Sequence, residues 1–406
     1  MRTRLGLALA VLFGIALIWA TLVGFSKGGQ DFRVFHYAAN LVLEGRWENL
    51  YQEGPDRYLY APGFAFLLAP LGALPFPVAH AIWMALILAV FLWSVRMLVV
   101  RYGLVPSLLA VLFLFRTVAI DLRYGQVNLL ILGAAVWALT SWFEQDRERT
   151  KRKLVLSWFV FSIAAFAKIY PLALFIFPLV GLFSREERLK KSAGFVFFGA
   201  VIAATLFLAP PLALSGVYSS WFDALSRKGL PTDTHNQSFL AFLTRMFSGE
   251  PFFPLGMGGE SLRLPGQILS PNAIRQIGVL FALVILELTV RSAWRWGPRK
   301  DLLAGWIGLA LCFLPAHLIW KSYFALGIPL VAAVFSEAAK DAKFREKILI
   351  PLALIAGFLN FSSGDFVGAK RAGWIEAGSP FLWVGLFFIF LGYSRLSARR
   401  PLASPP

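Results

Sequence analysis

The sequence predicts an all-α polytopic membrane protein of about twelve transmembrane segments, with extracytoplasmic loops and a surface amphipathic helix. Three observations carry that prediction. The chain is 58% hydrophobic and only 15% charged, where soluble domains carry roughly a quarter charged residues. The charges gather in short clusters between long apolar runs. The mean hydropathy of +0.68 is then spread over the whole chain instead of marking one core.

A net charge of +17 on a soluble face would point to nucleic acid. Here the basic residues sit in short loops between apolar runs, where they set topology and meet anionic headgroups, so no nucleic-acid partner is expected. The single cysteine, Cys312, lies inside an apolar run, which excludes an intrachain disulfide and a thiolate metal site.

The first segment, Leu5–Phe25, follows Arg2 and Arg4 and ends without a small-x-small cleavage site. At about 1.5 Å per residue it crosses a hydrocarbon core about 30 Å thick, whereas a signal h-region has only about 7–15 residues. It therefore reads as a retained span. The apolar runs that follow are Pro77–Val100, Leu104–Ile120, Gln126–Phe143, Leu154–Ala167, Leu172–Phe183 and Ala193–Leu214, then Ile274–Trp296, Leu302–Ile319, Tyr323–Phe335, Ile348–Phe361 and Pro380–Tyr393. Several fall short of the roughly 20 residues that a straight span needs. The fifth and sixth flank Lys168-Ile169-Tyr170-Pro171 and suggest a hairpin that places Lys168 in a protein-lined cavity. Pro62–Leu74 reads as interfacial or re-entrant.

With the N-terminus inside, more than half of the 39 Lys and Arg residues fall in alternate short clusters near 96–101, 147–153, 185–191, 291–300, 340–347 and 395–400. The positive-inside rule then puts both termini in the cytoplasm and the protein in the cytoplasmic (inner) membrane. Two long polar, aromatic loops, 26–61 and 215–273, face outward from what reads as a single integral-membrane domain over 1–406. Sizeable loops on one face place the working side there. A short Pro/Ser tail ends at Pro406.

In the first loop, Phe32, Phe35, Ala39 and Leu43 share one helical face, Asp31 suits an N-cap and Gly45 a C-terminal stop. The expected element is an amphipathic helix along the membrane surface. Asp31 has two readings: a cap worth about 1 kcal/mol, or a general base at the mouth of the first span.

The run Asp31 … Tyr37-Ala38-Ala39 … Gly45 … Leu50-Tyr51 … Tyr60-Ala61-Pro62-Gly63-Phe64 … Pro70-Leu71 resembles the polyprenol-phosphate-mannose-dependent glycosyltransferases of family 87. Gly125-Gln126-Val127-Asn128, Lys168-Ile169-Tyr170-Pro171, Asn236-Gln237-Ser238 and Arg245 extend the likeness in the family's order over 31–330. The resemblance implies a GT-C-like bundle with an extracytoplasmic active site and no cofactor or essential metal. It further implies transfer of mannose or another hexose from a polyprenyl-phosphate donor to a cell-envelope glycolipid or glycan acceptor. Asp31 matches the catalytic base of such enzymes, in an inverting displacement. Charge grows on the leaving phosphate, so fixed cations nearby favour the transition state.

Lys168 leads the candidate phosphate ligands. An intramembrane lysine costs about 2.5–3.5 kcal/mol and normally has a polar partner or an aqueous cavity; snorkelling from a short helix is the competing reading. Arg123 is a second candidate, or one half of an ion pair with Asp121. Arg245 lies two helical turns beyond Ser238 on one face, which suits a ligand or an ordinary capped helix. Where the family carries Trp-x-His, this chain has His317 … Trp320-Lys321-Ser322-Tyr323, so Lys321 or His317 takes the histidine's part. Gln126, Asn128, Tyr37, Tyr60, His235, Asn236 and Gln237 are candidate sugar or acceptor ligands. Gln126 and Asn128 equally suit caps, and Trp47, Tyr51 and Tyr58 join Tyr60 as possible stacking platforms. No glycine-rich phosphate loop, H-E-x-x-H or nucleophile elbow occurs. The competing class is a non-enzymatic transporter or flippase of a lipid-linked sugar.

Overall fold

In the computed structural model the described residues are 2–54, 58–143, 150–212, 214, 216–226, 230–252, 261, 263, 266–296 and 302–398. Parts of the basic clusters at 147–153, 291–300 and 395–400, parts of the 215–273 loop and the Pro/Ser tail lie outside them. Among the described residues the chain is helical, without a strand. One isolated antiparallel bridge joins Asn236 to Trp320. The chain divides into two compact units, Met1–Met97 with Phe115–Leu230, and Leu98–Leu114 with Pro231–Pro406.

Each apolar run of the sequence yields a helix, but lengths separate them into two kinds. Among the described residues six helices are long and apolar enough to cross a membrane: Arg4–Lys27, Phe76–Tyr102, Glu187–Leu212, Pro271–Trp294, Lys321–Lys340 and Pro380–Ser397. Leu104–Phe113 and Phe115–Tyr124, broken at Leu114, count as a seventh if taken together. The expected count of about twelve therefore lacks support in helix length. Leu154–Ala167 lies within the 19-residue helix Thr150–Lys168, which is not among the six. The other apolar runs form shorter helices, Asn128–Phe143, Tyr170–Leu182, Leu302–Leu311 and Pro351–Phe361. Asn128–Phe143 and Leu302–Leu311 are buried along almost their whole length. Their surroundings are protein, so no bilayer thickness dictates how long they must be.

Two boundaries depart from expectation for local reasons. Leu302–Ile319 stops at Leu311, ahead of Pro315, whose ring has no amide to donate. Tyr323–Phe335 is longer than expected, because a 3-10 stretch, Lys321–Gly327, feeds an α-helix, Ile328–Lys340, that has Pro329 in its first turn.

In the first unit the expected helix forms as Gln30–Leu43. Phe32, Phe35, Ala38 and Ala39 are buried, but Leu43, expected on the same face, is 51% exposed. Phe32 stacks on Trp83 at 5.4 Å, and Phe35 meets Phe64 edge-on at 5.3 Å. Asp31 does not cap this helix. Gly29 holds the N-cap position in the left-handed region (φ 52°), and no side chain bonds the cap. A Cβ there would lie 2.6 Å from the His80 ring, so the sequence has glycine at the chain's entry. Asp31 falls in the first turn instead.

Farther along, helix Thr150–Lys168 packs against Glu187–Leu212, where Gly199 lets the backbones approach. It ends at Lys168 because Ile169 turns left-handed (φ 62°) and Pro171 follows. In the second unit, the buried Leu302–Leu311 packs on Pro380–Ala398, with Gly392 against Ile307 and Leu330.

Candidate active site

The first unit brings Asp31, Gln126, Asn128, Lys168 and Tyr60 together. Helix Phe115–Tyr124 ends at Gly125 (φ 66°), and the next helix starts at Asn128. A side chain at Gly125 would strike Phe32, and the Gly125 carbonyl accepts from Trp83 Nε1 at 2.8 Å. This pinned turn presents Gln126 and Asn128 side by side.

The bonding that follows has a definite polarity. Asp121 is fully buried and accepts from Asn128 Nδ2 at 2.7 Å and from the Leu129 amide at 3.2 Å, with the Asn128 backbone amide also bonding it. Asn128 Oδ1 must then face the other way, and it accepts from Lys168 Nζ at 3.1 Å and the Tyr170 hydroxyl at 3.1 Å. Lys168 Nζ also donates to Gln126 Oε1 at 3.0 Å. Asn128 Nδ2 donates to the same Gln126 oxygen at 3.2 Å. Gln126 Nε2 is thereby left to donate to Asp31 Oδ2. An ionised carboxylate only accepts and an ammonium only donates, so Asp121 and Lys168 together fix both amides, and the array ends on Asp31 as an acceptor. Lys168 stands within electrostatic reach of both Asp121 and Asp31, and its ammonium lies 5.3 Å from the Tyr60 ring centre.

Asp31 is half-buried, and Gln126 Nε2 donates to its Oδ2. A half-exposed, oriented carboxylate is what proton abstraction from a hydroxyl needs. Other candidates in this unit turn elsewhere. Arg123 lies over the Tyr124 ring at 5.7 Å, and the Asp121 carboxylate faces Asn128 instead of pairing with it. Tyr37 donates to Glu53 at 3.3 Å. Tyr51 and Tyr58 bond the carbonyls of Tyr60 and Ala61, and burial pushes both phenols up.

The second unit gathers His235, Asn236, Gln237, Arg245, His317 and Lys321, in a different manner. Ser238 caps helix Phe239–Phe247 by accepting from the Ala241 amide at 3.1 Å. Asn236 bonds the His317 carbonyl and the Ile319 amide, and Gln237 Nε2 bonds the carbonyls of Thr234 and Glu376. Arg245 is 1% exposed and directs its guanidinium to the carbonyls of Asp233, Asn236 and Ala377 and to the Ser379 hydroxyl. Burial pushes Arg245 down to about 10, with Asp233 and Glu376 opposing, so it keeps its charge at neutral pH. Burial also works against the Asp233 carboxyl, but the hydrogen bonds and charge of His235, with the charge of Arg245, hold it below the usual range. Lys321 forms a buried ion pair with Glu376, and His235 Nδ1 lies 3.6 Å from both Glu376 and Asp233.

Three acidic residues matter more than the sequence suggested. Asp121 bonds Asn128 across the break at Gly125, so no spacing along one helix signals the pair. Asp233 precedes His235 by two. Nothing in the spacing of Glu376 links it to Lys321. Among the described residues no cluster of three or more His, Cys, Asp or Glu is arranged to hold a metal ion.

Compared with known proteins, the chain matches the family model described as Glycosyltransferase family 87 over residues 58–320. That span includes Gln126, Asn128, Lys168, Asn236 and Arg245; it begins after Asp31 and ends one residue before Lys321. No curated protein matches the chain.

Proposed function

The chain belongs to glycosyltransferase family 87, and on that premise we propose that Asp31 is the general base of a sugar transfer from a polyprenyl-phosphate donor. The family indicates a membrane glycosyltransferase, and the apolar helices agree with a multi-pass membrane protein. Asp31 Oδ removes the proton of an acceptor hydroxyl as that oxygen bonds to the anomeric carbon. The bond from the anomeric carbon to the phosphate oxygen breaks, and its electron pair leaves with the polyprenyl phosphate. The configuration inverts.

The observation that carries this reading is the array Asp121–Asn128–Lys168–Gln126, which terminates on a half-exposed Asp31. Positioned general bases contribute about 10²–10⁴-fold. Lys168 adds positive charge beside the base, where the leaving phosphate needs it, and Tyr60 offers a ring for a sugar face. In the second unit Lys321, His235 and His317 are candidates for a headgroup or phosphate. Arg245, Asn236 and Gln237, expected as ligands, bond mostly to backbone and hold that cluster's shape. The sugar is mannose or another hexose, the acceptor a cell-envelope glycolipid or glycan, and the working side extracytoplasmic, with both termini in the cytoplasm.

The test reconstitutes the purified protein in liposomes with a series of radiolabelled polyprenyl-phosphate hexoses and a glycolipid extract. Labelled glycolipid formed with release of polyprenyl phosphate supports the reading. Movement of the donor across the bilayer with no new glycosidic bond would replace it with a transporter.

A further inference from the structure

We propose that Asp121 is a positioning residue whose buried charge balances Lys168 and so keeps Asp31 available as a base. The proposal rests on the reading of Asp31 given above and adds a role to a residue that touches no substrate.

One ammonium stands between two carboxylates here. Lys168 reaches Gln126 Oε1 and Asn128 Oδ1 at 3.0 and 3.1 Å, with Asp121 behind Asn128 and Asp31 beyond Gln126. Asp121 is fully buried and Asp31 half-exposed. A buried ammonium with Asp31 as its only counter-charge would draw that carboxylate into an ion pair, and a carboxylate stabilised by an adjacent cation is a weaker base. With Asp121 present the two inner charges cancel, and Asp31 meets a nearly neutral, hydrogen-bonding wall. Asp121 also sets the orientation of both amides, so its charge and its acceptor geometry act toward the same end.

Among the described residues, several titratable groups on neighbouring elements are turned elsewhere. Arg33 donates to the Gly28 carbonyl at 3.1 Å, and His36 Nε2 lies 2.9 Å from the Leu74 carbonyl. Arg123 lies over Tyr124, and the His80 ring packs against both Phe32 and Phe76. Among the described residues, Lys168 interacts electrostatically with both Asp121 and Asp31, with the Tyr170 hydroxyl and Tyr60 ring beside it.

The experiment measures kcat and kcat/KM for sugar transfer against pH in the full-length protein, for wild type, Asp121→Asn, Lys168→Met, the double variant and Asp31→Asn. Removing Asp121 strips away a repelling charge and leaves Lys168 uncompensated. Both effects favour ionised Asp31, so the acid limb of kcat/KM moves to lower pH, by about one pH unit. The plateau falls by about threefold to tenfold, as for a base about one unit weaker, while KM for the donor stays within about twofold. Lys168→Met moves the limb the opposite way, and the double variant returns it near the wild-type position. If Asp121→Asn does not fold, the limb of the double variant must still lie about one unit below that of Lys168→Met. An acid limb that stays in place when Asp121 is neutralised overturns the proposal and leaves Asp121 a structural residue. Full transfer by Asp31→Asn overturns the base reading itself, a separate and distinguishable failure.

Discussion

In the first unit a carboxylate, two amides and an ammonium bond chiefly to one another's side chains, and the series ends on the half-exposed Asp31. In the second unit Asn236, Gln237, Ser238 and Arg245 bond chiefly to backbone, and the charges Lys321 and Glu376 close on each other. The residue types are alike, but their partners differ. Side chains that hold backbone fix a shape; on the reading proposed here, side chains that hold one another around a half-exposed carboxylate orient a base. Polar motifs of equal prominence in a sequence can therefore serve opposite ends.

The contrast can be broken by substitution. Lys168→Met removes a charge from the first cluster without touching the backbone, and initial transfer rates should fall about 100-fold. Loss of less than threefold would remove Lys168 from the mechanism. Arg245→Ala should act on stability instead. It orphans buried carbonyls at about 1–3 kcal/mol each, so thermal midpoints in detergent drop by several degrees. Arg245→Lys sharpens the point: as a clamp it fails nearly as badly as alanine, whereas as a phosphate ligand it keeps much of the activity.

Glu376→Gln strands Lys321 in the interior and should cost about 3–5 kcal/mol. Lys321→Met with Glu376→Leu recovers most of that in thermal unfolding if the pair is structural. Continued loss of transfer in this stable double variant would instead assign Lys321 a ligand's part. Ser238→Ala is the mildest, at about 1 kcal/mol for a lost cap. A drop in transfer beyond tenfold would show that this serine does more than cap.

Much of this was legible in the chain. Long apolar runs and clustered charges announce helices in a membrane, and period 3.6 marks Gln30–Leu43. The motifs around Asp31, Gln126, Asn128 and Lys168 could be singled out because polar residues are rare among apolar neighbours. Span number was not legible, because hydropathy does not distinguish lipid from surrounding protein. Asn128–Phe143 and Leu302–Leu311 are as apolar as true spans and yet buried in protein. Pairings were also hidden. Asp121 sits two residues from Arg123 and bonds Asn128, because helix Phe115–Tyr124 and the Gly125 turn point them apart. Glu376 finds Lys321 across 55 residues of chain, a contact that no local spacing encodes.

The most direct test replaces Asp31 with its isostere asparagine and follows a single turnover from a radiolabelled polyprenyl-phosphate hexose in purified, correctly folded protein. The donor should still bind while transfer slows about 1000-fold, with Asp31→Glu recovering part of the rate. Transfer by Asp31→Asn within tenfold of wild type would contradict it, since an amide cannot accept the acceptor's proton.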